Sequence, residues 1–162
     1  QMMDEDMSKG ATTESRITQL ARNPYSLGIV VRYLSRIEPF SKFEFGPSVS
    51  SLMHQINDGT HLIVETNDKL TGYVGWVRTS IDIAEGWMDN TGPLNKVVGG
   101  EAIVVTIFHA EDSTMIMRMI RAAKQLEPDT PVYWKRFFDG ARAPKPRSVK
   151  LNRDRQASHS SR

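Results

Sequence analysis

The apolar positions change period along the chain, and each change marks an element. In NPYSLGIVVRYLSRI, Leu27, Val30, Val31 and Leu34 recur at helical spacing and Pro24 stands where a first turn tolerates it, so a helix is predicted there. PSVSSLMHQINDG repeats the device: Pro47 opens, Val49, Leu52, Met53 and Ile56 form one apolar face, and Asn57 to Gly59 ends it. HLIVETN and LTGYVGWVRT are strand-like runs separated by Asn67-Asp68-Lys69, a turn cluster that predicts an antiparallel hairpin. The segment from Ile81 to Gly100, with its four glycines, a proline and Trp87, reads as a loose connection. EAIVVTIF follows as a third strand, apolar enough to be buried on both faces. DSTMIMRMIRAAKQLEPD is a helix with Asp112 or Ser113 as N-cap, Met115, Met119, Ala122 and Leu126 on one side, and Pro128 beyond its end. PVYWKRFF closes the series as a fourth strand, and no internal repeat is present.

Helix, helix, strand, strand, strand, helix, strand is the order of an α+β protein, an α/β sandwich with a mostly antiparallel sheet. A chain of 162 residues with 39% hydrophobic content closes one core, so a single domain is expected over residues 13–140. Residues 1–12 read as a disordered N-terminus and 141–162 as a basic disordered tail. The tail carries seven Lys or Arg against one Asp, so it is +6 while the net charge is +2 and the remainder is −4. Its plain reading is a solubilising tail; the other is a weak contact with an acidic partner or nucleic acid, and without interleaved aromatics it is not read as a sequence-specific nucleic-acid binder. With no cysteine, disulfides, thiolate metal sites and cysteine nucleophiles are excluded, and four scattered histidines have no metal-ligand spacing. No metal and no bound cofactor are expected. The polar, partly acidic start QMMDEDMSKGATTES is unlike a signal peptide, and no apolar run spans a bilayer, so a soluble, cytoplasmic protein with no membrane span is expected.

Glycine weakens a strand unless something must approach the backbone, so Gly72 and Gly75 predict a bulge or groove within LTGYVGWVRTS. An acyl chain or pantetheine arm could lie in the gap at Gly75 with Tyr73 flanking it and Trp76 turned to the other face. The plainer reading is that Gly75 makes room for a bulky neighbour such as Trp87, with Trp76 as core. The three methionines Met115, Met117 and Met119 read as packing filler on the long helix.

The element order is similar to the N-acetyltransferase-like (GNAT) architecture, whose long central strand leads through a Gly-rich loop into a helix that holds the pyrophosphate of coenzyme A. Here the loop is HAEDST, which offers no glycine and places Glu111 and Asp112 where a diphosphate would sit. The stretch Gly72-Tyr73-Val74-Gly75-Trp76-Val77-Arg78-Thr79-Ser80 resembles the G-Y-V-x-W-x-x-x-S motif of the RTX toxin-activating lysine acyltransferases, the hemolysin-activating type. The likeness runs from about Ser26 to Phe138, through Leu27-Gly28, a link at Pro39 and the helix SLMHQIN. It implies a GNAT-like sheet with flanking helices and an enzyme that moves a fatty acyl group from acyl carrier protein to a lysine of a partner protein, with a homodimer left open. The family's His falls at Ser41 here and its strand Asp at Val105.

An amine nucleophile needs a base, and His109 is the candidate that remains, beyond a buried strand and beside Glu111 and Asp112; its plainer reading is a half-exposed loop histidine. His54 and His61 read as structural or solvated. Ser41 is the second candidate, as acyl acceptor or orienting hydroxyl, and Tyr73, Gly75 and Trp76 are the candidate substrate-binding residues. Arg118, Arg121, Lys124, Lys135, Arg136 and the tail could steer the acidic carrier protein. The alternative is a catalytically inactive relative that keeps the fold as a binding or structural module.

Overall fold

The computed structural model describes residues 14–135. The two terminal segments, and Arg136 to Phe138 of the expected last strand, lie outside the described residues. The elements are β1 (Ser15–Thr18), α1 (Pro24–Leu34), a 3₁₀ turn (Phe40–Lys42), α2 (Phe45–Asp58), β2 (His61–Thr66), β3 (Lys69–Thr79), α3 (Ile81–Met88), β4 (Ala102–Ala110), α4 (Met115–Leu126) and β5 (Val132–Trp134).

The local signals act where the sequence puts them. Asn23 caps α1 by accepting the Ser26 amide at 2.9 Å, with Pro24 in the first turn. Gly59 ends α2 at φ 70, a left-handed conformation that glycine adopts without Cβ strain. Asn67 and Asp68 both take positive φ (52 and 62) between β2 and β3, the backbone of a tight hairpin turn.

One sheet runs in the order β1-β2-β3-β4-β5. The pairs from β1 to β4 are antiparallel, and β5 joins β4 in parallel after the α4 crossover. On one face Val30 and Leu34 of α1 and Leu52 and Ile56 of α2 pack on Ile63, Tyr73 and Ile107. On the other, Met115, Met119 and Ala123 of α4 pack on Leu62, Val64, Val74, Trp76, Ile103 and Val105. The third strand is indeed covered on both sides.

Four expectations are corrected. The segment after Ser80 is not loose throughout: Ser80 accepts the Ile83 amide and α3 buries Ala84 and Met88 against Ala102, Val104 and Tyr133. A fifth strand, β1, pairs with β2 from Ser15↔Thr66 to Thr18↔Ile63. Neither Asp112 nor Ser113 caps α4; the cap position is Thr114, and the Asp112 carboxylate accepts the Thr114 amide and hydroxyl. The buried side of α4 is Met115, Met119, Ile120 and Ala123, Ala122 packs partly buried against the same core, and Leu126 and Met117 are about half exposed, so three of the four predicted positions face the core.

Candidate functional site: a bulge between two clefts

β3 and β4 pair Gly75 with Ile107 and then Trp76 with Val105, so Thr106 is an extra residue on β4. A one-residue insertion reverses the alternation of side chains. Ile103 and Val105 therefore face α4, whereas Ile107 faces α1 and α2.

The insertion leaves Thr106 without a place in the ladder, and its hydroxyl joins a chain of side-chain hydrogen bonds. Gln55 Nε2 donates to Thr106 Oγ1 at 2.7 Å, Tyr73 Oη donates to Gln55 Oε1 at 2.8 Å, and Thr106 Oγ1 donates to the Gly75 carbonyl at 3.4 Å. Gln55 and Tyr73 are buried, at 1% and 0% exposure, so the chain of bonds is shielded from water. Burial pushes the Tyr73 hydroxyl far above the ordinary tyrosine range.

Two clefts meet at Thr106. One, of about 780 Å³, lies between α2 and the segment 94–99, with Trp76, Val77, Arg78 and Glu127 on its walls and Thr106 and Gln55 at its base. The other, of about 310 Å³, lies along β4 next to its last described pair with β5, Val105↔Trp134, between Pro39, Phe40, Val105, Phe108, Ile116, Trp134 and Lys135. The second is the more apolar: Phe108 and Trp134 meet edge to face at 5.8 Å, and the buried Trp134 Nε1 has no hydrogen-bond partner among the described residues.

The gap at Gly75 exists and is filled from within. A Cβ at Gly75 would fall on the Gln55 carboxamide, so the occupant is Gln55 and not Trp87. Trp76 is fully buried on the opposite face, as expected of core, and its Nε1 donates to Glu127 Oε1 at 3.1 Å. Glu127 also holds Arg78, which donates to the Gly100 carbonyl at 2.7 Å.

His109 is the cross-strand neighbour of Tyr73. Its half-buried ring stands 6.0 Å from that of Tyr33, whose hydroxyl has no partner among the described residues. Burial lowers the His109 pKa, partly opposed by Glu111, so the imidazole is neutral near pH 7 and able to accept a proton. Burial and the Glu111 charge raise the Tyr33 hydroxyl well above its usual value. Ser41 is exposed on the 3₁₀ turn, and neither Ser41 nor His109 lines either cleft. Tyr73, Gly75 and His109 are thus brought together on one face, with Trp76 behind them, and Ser41 is not brought to them. His61 is buried between the Leu20 amide, donating to Nε2, and the Gln55 carbonyl, and burial lowers its pKa.

Sequence reasoning missed Gln55, Thr106 and Glu127. Gln55 had one signal, a polar residue inside the apolar stripe of α2, beside Ile56; Thr106 had another, the one hydroxyl in EAIVVTIF. Among the described residues, no cluster of His, Asp or Glu is gathered that could hold a metal ion, and no helix is long and apolar enough to cross a membrane.

No family model and no curated protein matches the sequence. Solved structures do match. The loading GNATL domain of CurA from Lyngbya majuscula is similar over 90% of this chain and 83% of its own, at 10% identity and a TM-score of 0.59. The fold is GNAT-like. The GphF GNAT-like decarboxylase in complex with isobutyryl-CoA (14% identity, TM-score 0.57, 76% of this chain and 67% of that one) has it too. So does the mosquito arylalkylamine N-acetyltransferase like 5b (13% identity, TM-score 0.54, 75% and 76%).

Proposed function

We propose that this GNAT-like protein is an acyltransferase that receives an acyl thioester in the β4–β5 groove and passes the acyl group to an amine. The observation that carries the reading is the groove itself, with apolar walls from Phe40, Val105, Phe108, Ile116 and Trp134 and an end at the Thr106 hydroxyl. That a solved neighbour of this fold is in complex with isobutyryl-CoA supports a thioester there.

The donor we favour is acyl carrier protein. At the start of α4 a diphosphate would meet Glu111 and Asp112, and the bonds from Thr114 hold the Asp112 carboxyl below its usual pKa and so ionised. A carrier-bound pantetheine arm brings no diphosphate to that point. Arg118 and Arg121, exposed on the outer side of α4, offer the acidic carrier a basic surface. The acceptor, by the resemblance of Gly72 to Ser80, is a lysine of a partner protein in the cytoplasm. Its amine attacks the thioester carbonyl, neutral His109 takes the amine proton, and as the C–N bond forms and the C–S bond breaks the imidazolium returns that proton to the carrier thiolate, which leaves as the thiol. Ser41 is the orienting hydroxyl in this scheme.

The filled gap at Gly75 and the placement of Ser41 and His109 outside both clefts favour the second reading, a binding module without catalysis. One experiment separates the two. The chain is incubated with octanoyl carrier protein or octanoyl-CoA and a pool of lysine peptides, and the products are weighed as intact masses. Transfer from the carrier protein at roughly ten times the rate from CoA, abolished by Ile116→Trp in the groove, supports the proposal. Binding of the acylated carrier without transfer leaves the module; an unchanged rate for His109→Ala removes the histidine from the scheme.

A further inference from the structure

Between β1 and α1 the segment 19–23 lies against the corner where α2 gives way to β2, and side chains tie it there. Gln19 Nε2 donates to the Gly59 carbonyl at 2.8 Å and to the His61 carbonyl at 3.0 Å. The Leu20 amide donates to His61 Nε2 at 3.0 Å, and the Leu20 side chain packs on the α1–α2 core. A Cβ at Gly59 would strike the Arg22 guanidinium, so that side chain rests on the turn. The same corner supplies Gln55, Asp58 and Thr60 to the wall of the larger cleft.

The two partners of the His61 ring fix its state. The Gln55 carbonyl, 3.1 Å from Nδ1, can only accept, and the Leu20 amide at Nε2 can only donate. The ring is therefore the neutral tautomer with its proton on Nδ1. A second proton can go only to Nε2, where it would point at the Leu20 N–H, donor against donor. Burial, the largest influence, and the like charge of Arg22 oppose the imidazolium, while the bond to the Gln55 carbonyl favours it. Tyr73, stacked on the ring at 6.1 Å between centroids, stays un-ionised, and the carboxylates of α2 and β2, Asp58 and Glu65, are paired with Lys96 and Arg16.

We infer that His61 is a proton-operated latch: a proton on Nε2 holds the segment 19–23 off the α2–β2 corner, releasing it as a unit while the sheet stays folded. The closed ring is fully buried, so the proton is taken up when the segment lifts and the imidazole meets water. Lifted, it has the ordinary histidine pKa near about 6.5, and the open form gains on the closed one by up to about tenfold for each pH unit below that value. The latch is thus fully shut above that pH and loosens as pH falls. A buried histidine also weakens the whole fold in acid; what marks the latch is that Leu20 opens separately from the sheet.

Amide hydrogen exchange on the ¹⁵N-labelled full chain reads this, each rate taken relative to the intrinsic rate at the same pH. Below about pH 6.5 the Leu20 amide should lose protection by roughly tenfold per pH unit. At every pH it should be less protected than the amides of the β3–β4 ladder and respond less steeply to low urea, because a small opening exposes little surface. His61→Gln keeps an acceptor and a donor but does not titrate, and should flatten the pH dependence. Gln19→Ala removes the two bonds to Gly59 and His61; it should lower Leu20 protection several-fold at every pH and keep the slope, which tests the latch even if the His61 variant fails to fold. Leu20 protection equal to that of the β3–β4 ladder at every pH, with the same urea response, would mean release only on unfolding and would overturn the inference. So would protection that does not change with pH, a pH dependence that survives in His61→Gln, or a Leu20 amide as protected in Gln19→Ala as before.

Discussion

Gly75 and Gln55 occupy one volume, and a double-mutant cycle measures that. Gly75→Ala places a methyl group on the Gln55 carboxamide. The carboxamide is the end of a flexible side chain, but two bonds hold it, from Tyr73 at 2.8 Å and to Thr106 at 2.7 Å, and it is sealed at 1% exposure. Displacing it orphans the buried Tyr73 hydroxyl and strands the amide, at about 1–3 kcal/mol for each unmet group, so Gly75→Ala should cost about 2–3 kcal/mol. Gln55→Ala loses the same two bonds and leaves a cavity; water entering from the adjoining cleft offsets part of this, giving about 3 kcal/mol. In the Gln55→Ala background the methyl at residue 75 meets open space, and alanine is a better strand residue than glycine. The double variant should therefore be no less stable than Gln55→Ala alone, a coupling of about 2 kcal/mol, well beyond the ~0.5 kcal/mol error of additivity. Urea unfolding with an unchanged slope reads it, and each kcal/mol should move the melting point by about 3 °C for a chain of this size. Costs that simply add would refute the shared volume and reopen the gap at Gly75 to a guest.

Two further outcomes follow from single positions. His61 is held neutral, its folded pKa lowered chiefly by burial, so the unfolded chain binds a proton first as pH falls below about 6.5. Stability is fully present above that pH and should be lost toward pH 5, by up to about 1.4 kcal/mol per unit, with His109 adding in the same direction; a urea midpoint unchanged over that window contradicts the assignment. Gly28 lies inside α1 with nothing near its missing Cβ, whereas a Cβ at Gly100 meets the Thr79 backbone, which cannot step aside. Gly28→Ala should raise stability by about 0.5–1 kcal/mol and Gly100→Ala lower it, and equal melting points for the two would refute the contrast.

The parts of the fold legible in the sequence are those decided within a few residues. Asn67-Asp68 takes the left-handed turn its composition asks for, Gly59 ends α2, and the unbroken run Ala102–Val105 is buried on both faces. What escaped depends on partners distant in the chain. Ser15–Thr18 is a strand because β2 offers it an edge; alone it is four residues with only Ile17 packed on the core. α3 was masked by Gly86 and the glycines after it, although Ser80 stood ready as its cap. The gap at Gly75 could be read from the missing side chain, but its occupant sits on α2, and nothing local to β3 names it.

The bulge decides how much weight the polar cluster can bear. Ile107 reaches the α1–α2 core only because Thr106 is inserted before it; without the insertion the rest of β4 would present its apolar side chains to the wrong layer. An inserted residue breaks the ladder, and here the Thr106 hydroxyl meets one main-chain group beside the break, the Gly75 carbonyl, at 3.4 Å. Gln55 and Tyr73 hold that hydroxyl in place, so the polar cluster is explained by the bulge whether or not the protein is an enzyme. What points to a ligand is a group the fold does not satisfy: the buried Trp134 indole N–H beside the groove along β4, with no hydrogen-bond partner among the described residues.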